Sequence, residues 1–132
     1  MGEIILGTGI DLVACNRIQD SMERFGSRFL NRIFIQTELD YCLKQKYPEC
    51  HLAARFAAKE AVSKAFGTGI GGHLGWKDME VHRLKSGEPQ LRLHNKGVTL
   101  LENKNGIRVL ISLTHTKEYG AATAILIGNE DC

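Results

Sequence analysis

The amino-acid sequence predicts a single α+β domain over residues 1–132, with a mainly antiparallel sheet packed against a long alanine-rich helix. Three observations support this fold class. The length fits one domain of about 100–200 residues. Helical and strand-like segments are joined partly by hairpin-like links rather than in a repeated β-α-β order. No internal repeat, low-complexity tract or Pro/Ser linker divides the chain.

The patterns in residues 4–25 predict one strand followed by one helix. Residues 4–14 form an apolar run interrupted by glycines, which predicts a buried strand that bends. Asn16 can cap a helix that runs to about Phe25, with apolar residues at helical spacing.

A short helix and a long helix follow. Thr37 is a candidate N-cap for a helix that ends near Tyr47, where Pro48 stops it. Residues 49–66 carry the longest helical pattern and contain six alanines, the residue with the highest helix propensity. The glycines of residues 67–72 end this helix in a flexible loop.

The second half of the chain alternates between strands and a helix. Residues 79–82 and 90–94 predict two strands around a turn, and residues 95–102 predict a helix. The apolar runs 109–113 and 121–127 predict two core strands.

Composition and charge narrow the range of functions. Seventeen Lys+Arg against fifteen Asp+Glu give a net charge of +2, too small to indicate nucleic-acid binding. No apolar run approaches the roughly 20 residues that span a bilayer, and the N-terminal residues lack signal-peptide features. We therefore expect a cytoplasmic protein with no membrane partner. The irregular spacing of the cysteines indicates reduced thiols rather than a zinc site or disulfide framework: Cys15, Cys42, Cys50 and Cys132.

Residues 16–32 form a locally basic segment. This segment is either a solvated helix face or a docking surface for an acidic partner. Its four arginines stand against only two acidic residues: Arg17, Arg24, Arg28 and Arg32 against Asp20 and Glu23.

Residues 67–72 match the pattern G-x-G-x-x-G, which binds dinucleotides when it links a strand to a helix. Here the pattern follows a helix, and residues 76–81 beyond it have a strand-like pattern, so a dinucleotide fold is excluded. The glycines either expose their backbone to a ligand or form an ordinary helix-to-strand loop.

Glu60 and Lys64 lie one turn apart on the long helix. At this spacing they form either a common surface ion pair or part of a metal-bridged polyphosphate site, with Arg55 and Lys59 as further cations. Asp11 is the candidate second carboxylate, because it interrupts an apolar segment where an unpaired charge is costly, unless it caps a helix or lies in a turn. Mg²⁺ needs only one or two carboxylates when phosphate oxygens and water complete its shell.

His115 follows a predicted core strand in the sequence Ser112-Leu113-Thr114-His115. A histidine at a strand end either contacts a ligand or has only a structural role.

Three segments resemble signatures of the holo-acyl-carrier-protein synthases, a group of 4′-phosphopantetheinyl transferases. The first is Gly9-Ile10-Asp11 followed by Arg17-Ile18, and the second is residues 56–65, in which a Lys-Glu pair precedes Lys64. The third is residues 112–115, and all three follow the family order over nearly the whole chain. Thr114 replaces the usual serine, and Glu88 stands in a turn that often carries a basic residue.

The resemblance implies transfer of the phosphopantetheine arm of coenzyme A to a carrier-protein serine, in support of fatty acid biosynthesis. It implies Mg²⁺, with Mn²⁺ as a possible substitute, held by Asp11 and Glu60 and bridging the coenzyme A pyrophosphate. It also implies a homotrimer with active sites at the subunit interfaces.

Roles for individual residues follow from this resemblance. Glu60 accepts the serine proton, directly or through a metal-bound water, and Lys64 stabilises phosphate charge. The coenzyme A contacts are assigned to Arg55, Lys64, Gly67 and His115. An acidic acyl carrier protein docks on the basic segment, through Arg17, Met22, Arg24, Phe25 and Arg28. Two alternatives remain: a non-enzymatic module that binds acidic proteins or nucleotides, and a metal-dependent hydrolase of nucleotide pyrophosphates.

Overall fold

A computed structural model describes residues 2–130. Within this range the chain forms five strands and five α-helices, with a 3-10 turn at Trp76–Asp78. In chain order they are β1 (Glu3–Ala14), α1 (Cys15–Phe25), α2 (Ser27–Ile33), α3 (Gln36–Cys42), α4 (Pro48–Phe66), β2 (Met79–Arg83), β3 (Pro89–Leu93), α5 (Lys96–Asn103), β4 (Gly106–His115) and β5 (Tyr119–Asn129).

The strands form two antiparallel sheets. The larger has the order β1-β5-β4, and the smaller is the β2–β3 hairpin. A register shift between Ile5 and Gly7 bends β1, as the glycines of this run predict. The α+β architecture expected from the sequence is confirmed.

Helix α4 packs on one face of the larger sheet at unusually short range. A Cβ atom on Gly7 would lie 2.0 Å from the Ala65 carbonyl oxygen, and one on Gly9 would lie 1.9 Å from that of Ala61. Because real Cβ atoms do not approach so closely, only glycine at these two positions of β1 permits this separation. Asp11 is the next residue of β1 on the same face, so the packing positions its side chain beside α4.

A buried ion pair ties α4 to α3 and the hairpin. Lys59 and Glu38 are both fully buried, with Nζ 2.7 Å from Oε1, and Lys59 also donates to the Ile33 carbonyl at 2.7 Å. Glu38 accepts hydrogen bonds from the backbone N–H groups of Ile35 and Val81. The expectation that Lys59 is a cation available to a polyphosphate is therefore wrong, because its charge is already satisfied inside the protein.

The starts of two helices differ from the sequence prediction. Ala14 occupies the N-cap of α1, so Asn16 lies in the first turn rather than at the cap. Helix α3 starts at Gln36, because the Glu38 side chain accepts from the Ile35 N–H, and Thr37 donates instead to Glu80 at 2.6 Å. Neither of the two polar residues expected as caps occupies an N-cap position, since Ala14 does so in α1 and Ile35 in α3.

Two further boundaries also differ. Helix α3 ends at Cys42 rather than near Tyr47, and Pro48 begins α4 at a position where its missing N–H is not needed. Residues 76–78 form a 3-10 turn, so the strand predicted there starts only at Met79.

The cysteines within residues 2–130 are buried free thiols: Cys15, Cys42 and Cys50. Cys132 lies outside the described residues. In this part of the chain, no helix combines the length and the apolar character needed to cross a membrane.

Candidate functional site

Asp11 lies in the C-terminal half of β1, opposite Ala122 of β5, and faces α4. It is therefore neither a helix cap nor a turn residue. Glu60 and Lys64 stand one turn apart on α4, each with part of its side chain in solvent. The structure thus brings together three residues that are up to 53 positions apart in the chain.

Lys64 bonds to β1 rather than to Glu60. Its Nζ lies 3.2 Å from Oδ1 of Asp11 and donates to the Ile10 carbonyl oxygen at 2.9 Å. Among residues 2–130, Glu60 and Lys64 form no direct ion pair with each other. The Glu60–Lys64 surface ion pair that their i, i+4 spacing favours is therefore replaced by a contact of Lys64 on α4 with Asp11 on β1.

The electrostatic environment of Glu60 is unfavourable for its charged form. Burial raises the pKa of the Glu60 carboxyl above its ordinary value, and the neighbouring Asp11 carboxylate raises it further. Lys64 and Arg17 act in the opposite direction. Two carboxylates close enough to repel, with partial access to solvent, suit the binding of a cation between them.

The donor set determines which metals could bind. Residues 2–130 contain no cluster of three or more His, Cys, Asp or Glu side chains suited to a metal. A dedicated structural zinc site, which needs four protein ligands, does not fit this arrangement. Mg²⁺ fits, because it takes one or two carboxylates and completes its shell with water and phosphate oxygens.

Arg55 and His115 lie elsewhere, around a cavity of about 200 Å³. Arg55 is 5% exposed, its Nη1 donates to the His51 carbonyl oxygen at 3.2 Å, and its Nε has no hydrogen-bond partner. Asp11, Glu60 and Lys64 are absent from the cavity wall. The residues that line it are His51, Ala54, Arg55, Arg83, Gly87, Pro89, Leu113, Thr114 and His115.

The imidazole rings of His51 and His115 meet in this cavity, with centroids 4.5 Å apart. Sequence reasoning identified His115 and missed His51 and Arg83, because these come from different elements and share no motif with it. The turn between β2 and β3 lines the cavity through Gly87 and Pro89, while Glu88 points to a different surface depression. Arg83 supplies a cation to the same cavity wall as this turn, in which Glu88 stands where a basic residue is common.

Gly67 ends α4 in the left-handed conformation, with φ of 80°. Its N–H donates to the Lys64 carbonyl oxygen at 3.0 Å, and a Cβ there would meet no atom within 4 Å. This left-handed conformation favours glycine. Because Gly67 is exposed, a ligand can reach its backbone about one turn beyond Lys64.

The basic segment forms one wall of a groove of about 500 Å³. Phe25 is 55% exposed, with the Arg24 guanidinium 5.8 Å from its ring centre, and Arg17 lies 5.2 Å from that of Phe56. Met22 is half-buried and packs against the core instead. The groove is lined by Arg17, Ser21, Phe25, Arg28, Phe29, Arg32, Ile33, Phe56 and Trp76.

Sequence reasoning missed the contributions of Phe56 and Trp76 to this groove. Their rings pack 4.8 Å apart between centroids, and one comes from α4 and the other from the 3-10 turn. Aromatic residues in apolar patterns usually indicate core, so no signal in the sequence assigns them to a surface groove.

Comparisons with known proteins identify the family of this chain. Residues 7–124 match the model of the 4′-phosphopantetheinyl transferase superfamily. A holo-[acyl-carrier-protein] synthase of Koribacter versatilis is 45% identical over 123 residues, which cover 93% of this chain and 98% of that protein.

Solved structures show the same fold. The holo-[acyl-carrier-protein] synthase of Neisseria meningitidis superposes with a TM-score of 0.86 at 32% identity, covering 93% of this chain and 98% of that one. The synthase of Bacillus anthracis, in complex with CoA (3′,5′-ADP), gives a TM-score of 0.79 at 34% identity and covers 95% of this chain and 98% of that one. The chain therefore belongs to the 4′-phosphopantetheinyl transferase superfamily and is an enzyme of its holo-[acyl-carrier-protein] synthase group.

Proposed function

We propose that this chain transfers the 4′-phosphopantetheine group of coenzyme A to a serine hydroxyl of an apo acyl carrier protein. The products are the holo carrier protein and 3′,5′-ADP, and the reaction supports fatty acid biosynthesis. The observation that carries the proposal is the grouping of Asp11, Glu60 and Lys64, which places two carboxylates and a cation at one partly exposed point.

Asp11 and Glu60 are the residues that would hold Mg²⁺, or Mn²⁺ in its place. When bound, the ion would neutralise pyrophosphate charge and fix the geometry of the phosphate groups. The raised pKa of Glu60 supports this role, because a cation next to both carboxylates would relieve their mutual repulsion.

Glu60 is also the residue proposed to accept the proton of the serine hydroxyl, directly or through a water molecule. Its raised pKa brings a carboxylate closer to the range in which it serves as a general base. Lys64 would stabilise the charge on the transferring or leaving phosphate. Its side chain is 52% exposed, which leaves the ammonium free to exchange part of its contact with Asp11 for a phosphate oxygen.

Arg55, Lys64, Gly67 and His115 are proposed to contact coenzyme A. The unpaired Nε of buried Arg55 is a donor without an acceptor, and a phosphate oxygen would satisfy it. The exposed backbone at Gly67 supports close approach of a ligand beside Lys64.

The carrier protein is proposed to dock at the groove of the basic segment. Three arginines line the groove together with aromatic rings, of which Phe25 is exposed, and this suits an acidic helix that also carries apolar side chains. The predicted docking residues on α1 and α2 are Arg17, Met22, Arg24, Phe25 and Arg28, of which Met22 is the least accessible.

A homotrimer with active sites between subunits is also proposed. The sheet face opposite α4 exposes Ile10 by 67%, Leu12 by 64% and Leu110 by 47%. Large aliphatic side chains exposed on one sheet face are costly in water, so we assign this face to contact with further copies of this chain. Asp11 and Glu60 are not among the residues that line the Arg55–His115 cavity, which supports a site that is completed between subunits.

The extent of the enzyme and its location are part of the same proposal. We propose that residues 1–132 form one transferase domain, of which the family model covers 7–124. A cytoplasmic location accords with cysteines at spacings that do not indicate a disulfide framework.

The test is a mass measurement. The purified chain is incubated with coenzyme A, Mg²⁺ and apo carrier protein, and we expect the carrier to gain the phosphopantetheine mass. EDTA should abolish the gain, and Mg²⁺ or Mn²⁺ should restore it. A parallel reaction without carrier tests the hydrolase alternative, which would cleave coenzyme A there. An unmodified carrier and intact coenzyme A would instead indicate a binding module.

A further inference from the structure

Two buried cysteines from distant parts of the chain meet beneath the connection of residues 116–118, which joins β4 to β5. Cys15 is the first residue of α1, and Cys50 lies in the first turn of α4. Their side chains are within hydrogen-bond contact of each other, and they are only 1% and 4% exposed. Both are free thiols, and the proposed transfer chemistry uses neither of them.

Three successive carbonyl groups of the connection accept hydrogen bonds from these two cysteines. The Cys15 thiol donates to the Thr116 carbonyl oxygen at 3.8 Å. The Cys50 thiol donates to the Lys117 carbonyl oxygen at 3.7 Å. The backbone N–H of Cys15 donates to the Glu118 carbonyl oxygen at 2.8 Å. Both sulfur atoms therefore point to the same short stretch of backbone, which covers them.

Tight packing keeps the two cysteines together. A Cβ atom on Gly120, the second residue of β5, would lie 2.4 Å from the backbone nitrogen of Ala54 on α4. The connection itself is closed by a hydrogen bond from the Thr116 N–H to the Tyr119 carbonyl oxygen at 2.8 Å. Because β5 rests directly on α4 and the connection is bonded to Cys15, the start of α1 and the start of α4 are held side by side. The contact between the thiols is thus a property of the folded chain.

Burial protects the pair while the connection stays in place. Burial, and next the neighbouring Cys50 thiol, raise the pKa of Cys15 to about 12. The thiolate is the reactive form of cysteine, so the covered pair reacts slowly. Lys117 and Glu118 are exposed, which makes the cover a surface turn. Local displacement of such a turn, without unfolding of the core, admits a small reagent to both sulfur atoms.

We propose that Cys15 and Cys50 form a redox-modification site, at which a low-molecular-weight disulfide converts the two thiols into one intramolecular disulfide. One cysteine thiolate attacks a sulfur atom of the reagent and displaces a thiolate, which gives a mixed disulfide. The second cysteine thiolate attacks the protein sulfur of that bond and displaces the other half of the reagent. The protein loses two electrons and two protons, and the reagent is reduced to two thiols.

The disulfide would tie the start of α1 to the start of α4 and close a loop of about 35 residues. Closing this loop restricts the unfolded chain, so the oxidised protein should resist heat better than the reduced protein. A reducing compartment keeps the pair as thiols, and an oxidising one closes it. The pair acts independently of the proposed transfer chemistry.

The experiment exposes the folded full-length chain to oxidised glutathione, alkylates the remaining thiols and maps the disulfides by mass spectrometry of unreduced peptides. We expect peptides joined through Cys15 and Cys50 as the main product, and dithiothreitol should restore both thiols. The oxidised protein should melt about 5–10 °C above the reduced protein at equal concentration. The same treatment in urea should give mixed pairings, because only the folded chain holds the two thiols in contact.

Cys42→Ala is the matched control, because Cys42 is equally buried and lies near the charged groups of Arg55 and Glu38. It should form the same disulfide and show the same rise in melting temperature. Cys15→Ala and Cys50→Ala should show no rise on oxidation. The peptide map of wild type provides the answer by itself if either of these variants fails to fold.

Several results would overturn the proposal. One is a wild-type map that retains both thiols, or that carries glutathione on either cysteine without closure. Another is a folded protein in which Cys15 or Cys50 pairs mainly with Cys42 or Cys132, since contact in the fold would then not decide the partner. A Cys15–Cys50 disulfide that leaves the melting temperature unchanged would contradict the proposed tie between α1 and α4.

Discussion

The Nζ atom of Lys64 lies 3.2 Å from Oδ1 of Asp11, which joins the last turn of α4 to the C-terminal half of β1. The contact is made possible by Gly7 and Gly9, which let the helix approach the strand closely enough for a lysine to reach across. Glu60 stands one turn earlier and feels the charge of the same aspartate. Chemistry proposed for this site depends on a backbone packing arrangement as much as on the three charged groups.

Removal of either carboxylate should abolish transfer while leaving the protein folded. We expect Asp11→Asn and Glu60→Gln to lower kcat/KM by about 10²–10³, because each removes a proposed metal ligand and preserves side-chain volume. Carrier modification followed by mass spectrometry measures the rate, and circular dichroism verifies the fold. Glu102→Gln, an exposed residue of α5, is the isosteric control. Near-normal turnover of Asp11→Asn or Glu60→Gln would contradict the metal assignment.

The raised pKa of Glu60 predicts a pH-dependent stability difference. Native Glu60 binds its proton more tightly than the unfolded chain, whose ordinary pKa is 4.5, so its stabilising effect is complete below that value and is lost as pH rises through the native pKa. In EDTA, Glu60→Gln should therefore melt above wild type at pH 7.5, and the gap should narrow toward pH 4.5.

Thermal melts of both proteins across this pH range provide the measurement. A gap that widens as pH falls would mean that the environment of Glu60 favours its charged form. Addition of Mg²⁺ at pH 7.5 should raise the melting temperature of wild type only, since Glu60→Gln lacks one of the two carboxylates.

The sequence predicts the parts of the site that lie within continuous motifs. Glu60 and Lys64 follow from helical spacing, and Asp11 is notable as a charge in an apolar strand. Their meeting is less predictable, because the expected Glu60–Lys64 pair gives way to an Asp11–Lys64 contact that depends on tertiary packing. His51 is missed for the same reason: nothing local to α4 indicates that its ring will meet His115.

The sequence predicts the helices and strands better than it predicts the residues at which they begin and end. The α4 pattern holds because six alanines and a C-terminal glycine agree with the packing. The caps expected at Asn16 and Thr37 are wrong: Ala14 occupies the N-cap position of α1, and the Thr37 hydroxyl donates to Glu80 instead of capping α3. The prediction for Lys59 differs most from the structure. This lysine belongs to a charged motif, but it is fully buried and paired with Glu38, 21 residues earlier in the chain.

Reversal of one charge in the basic groove should affect the carrier and not the nucleotide. We expect Arg17→Glu to raise the KM for apo carrier protein by about tenfold, with the KM for coenzyme A within twofold, because the docking surface becomes repulsive to an acidic partner. Steady-state kinetics with each substrate varied in turn gives both values. Lys104→Glu makes the same charge change at an exposed residue beyond α5. A change in the KM for coenzyme A alone would mean that the groove binds coenzyme A and not the carrier protein, which would contradict the proposal.

The buried Lys59–Glu38 pair should be costly to break on one side. Lys59→Met leaves a carboxylate at 0% exposure without its cation, and we expect a loss of about 3–5 kcal/mol of unfolding free energy. Lys59→Met combined with Glu38→Gln should lose less than the sum of the two single changes, because no uncompensated charge remains. Urea unfolding of the four proteins completes the cycle, and strict additivity would mean that the two charges do not interact.

The close contact between Gly9 and α4 predicts that even a methyl group at this position lowers the stability of the protein. Gly9→Ala places a Cβ 1.9 Å from the Ala61 carbonyl oxygen, so strand and helix must separate. We expect a loss of about 3 kcal/mol or more in stability. At temperatures where the variant remains folded, transfer should fall as well, because Asp11 two residues away moves relative to Glu60 and Lys64. Gly2→Ala is the control, since a Cβ at that position meets nothing within 4 Å. Urea unfolding and carrier modification measured at 15 °C separate the two effects: wild-type transfer by a destabilised Gly9→Ala would show that the spacing of β1 and α4 matters only for folding.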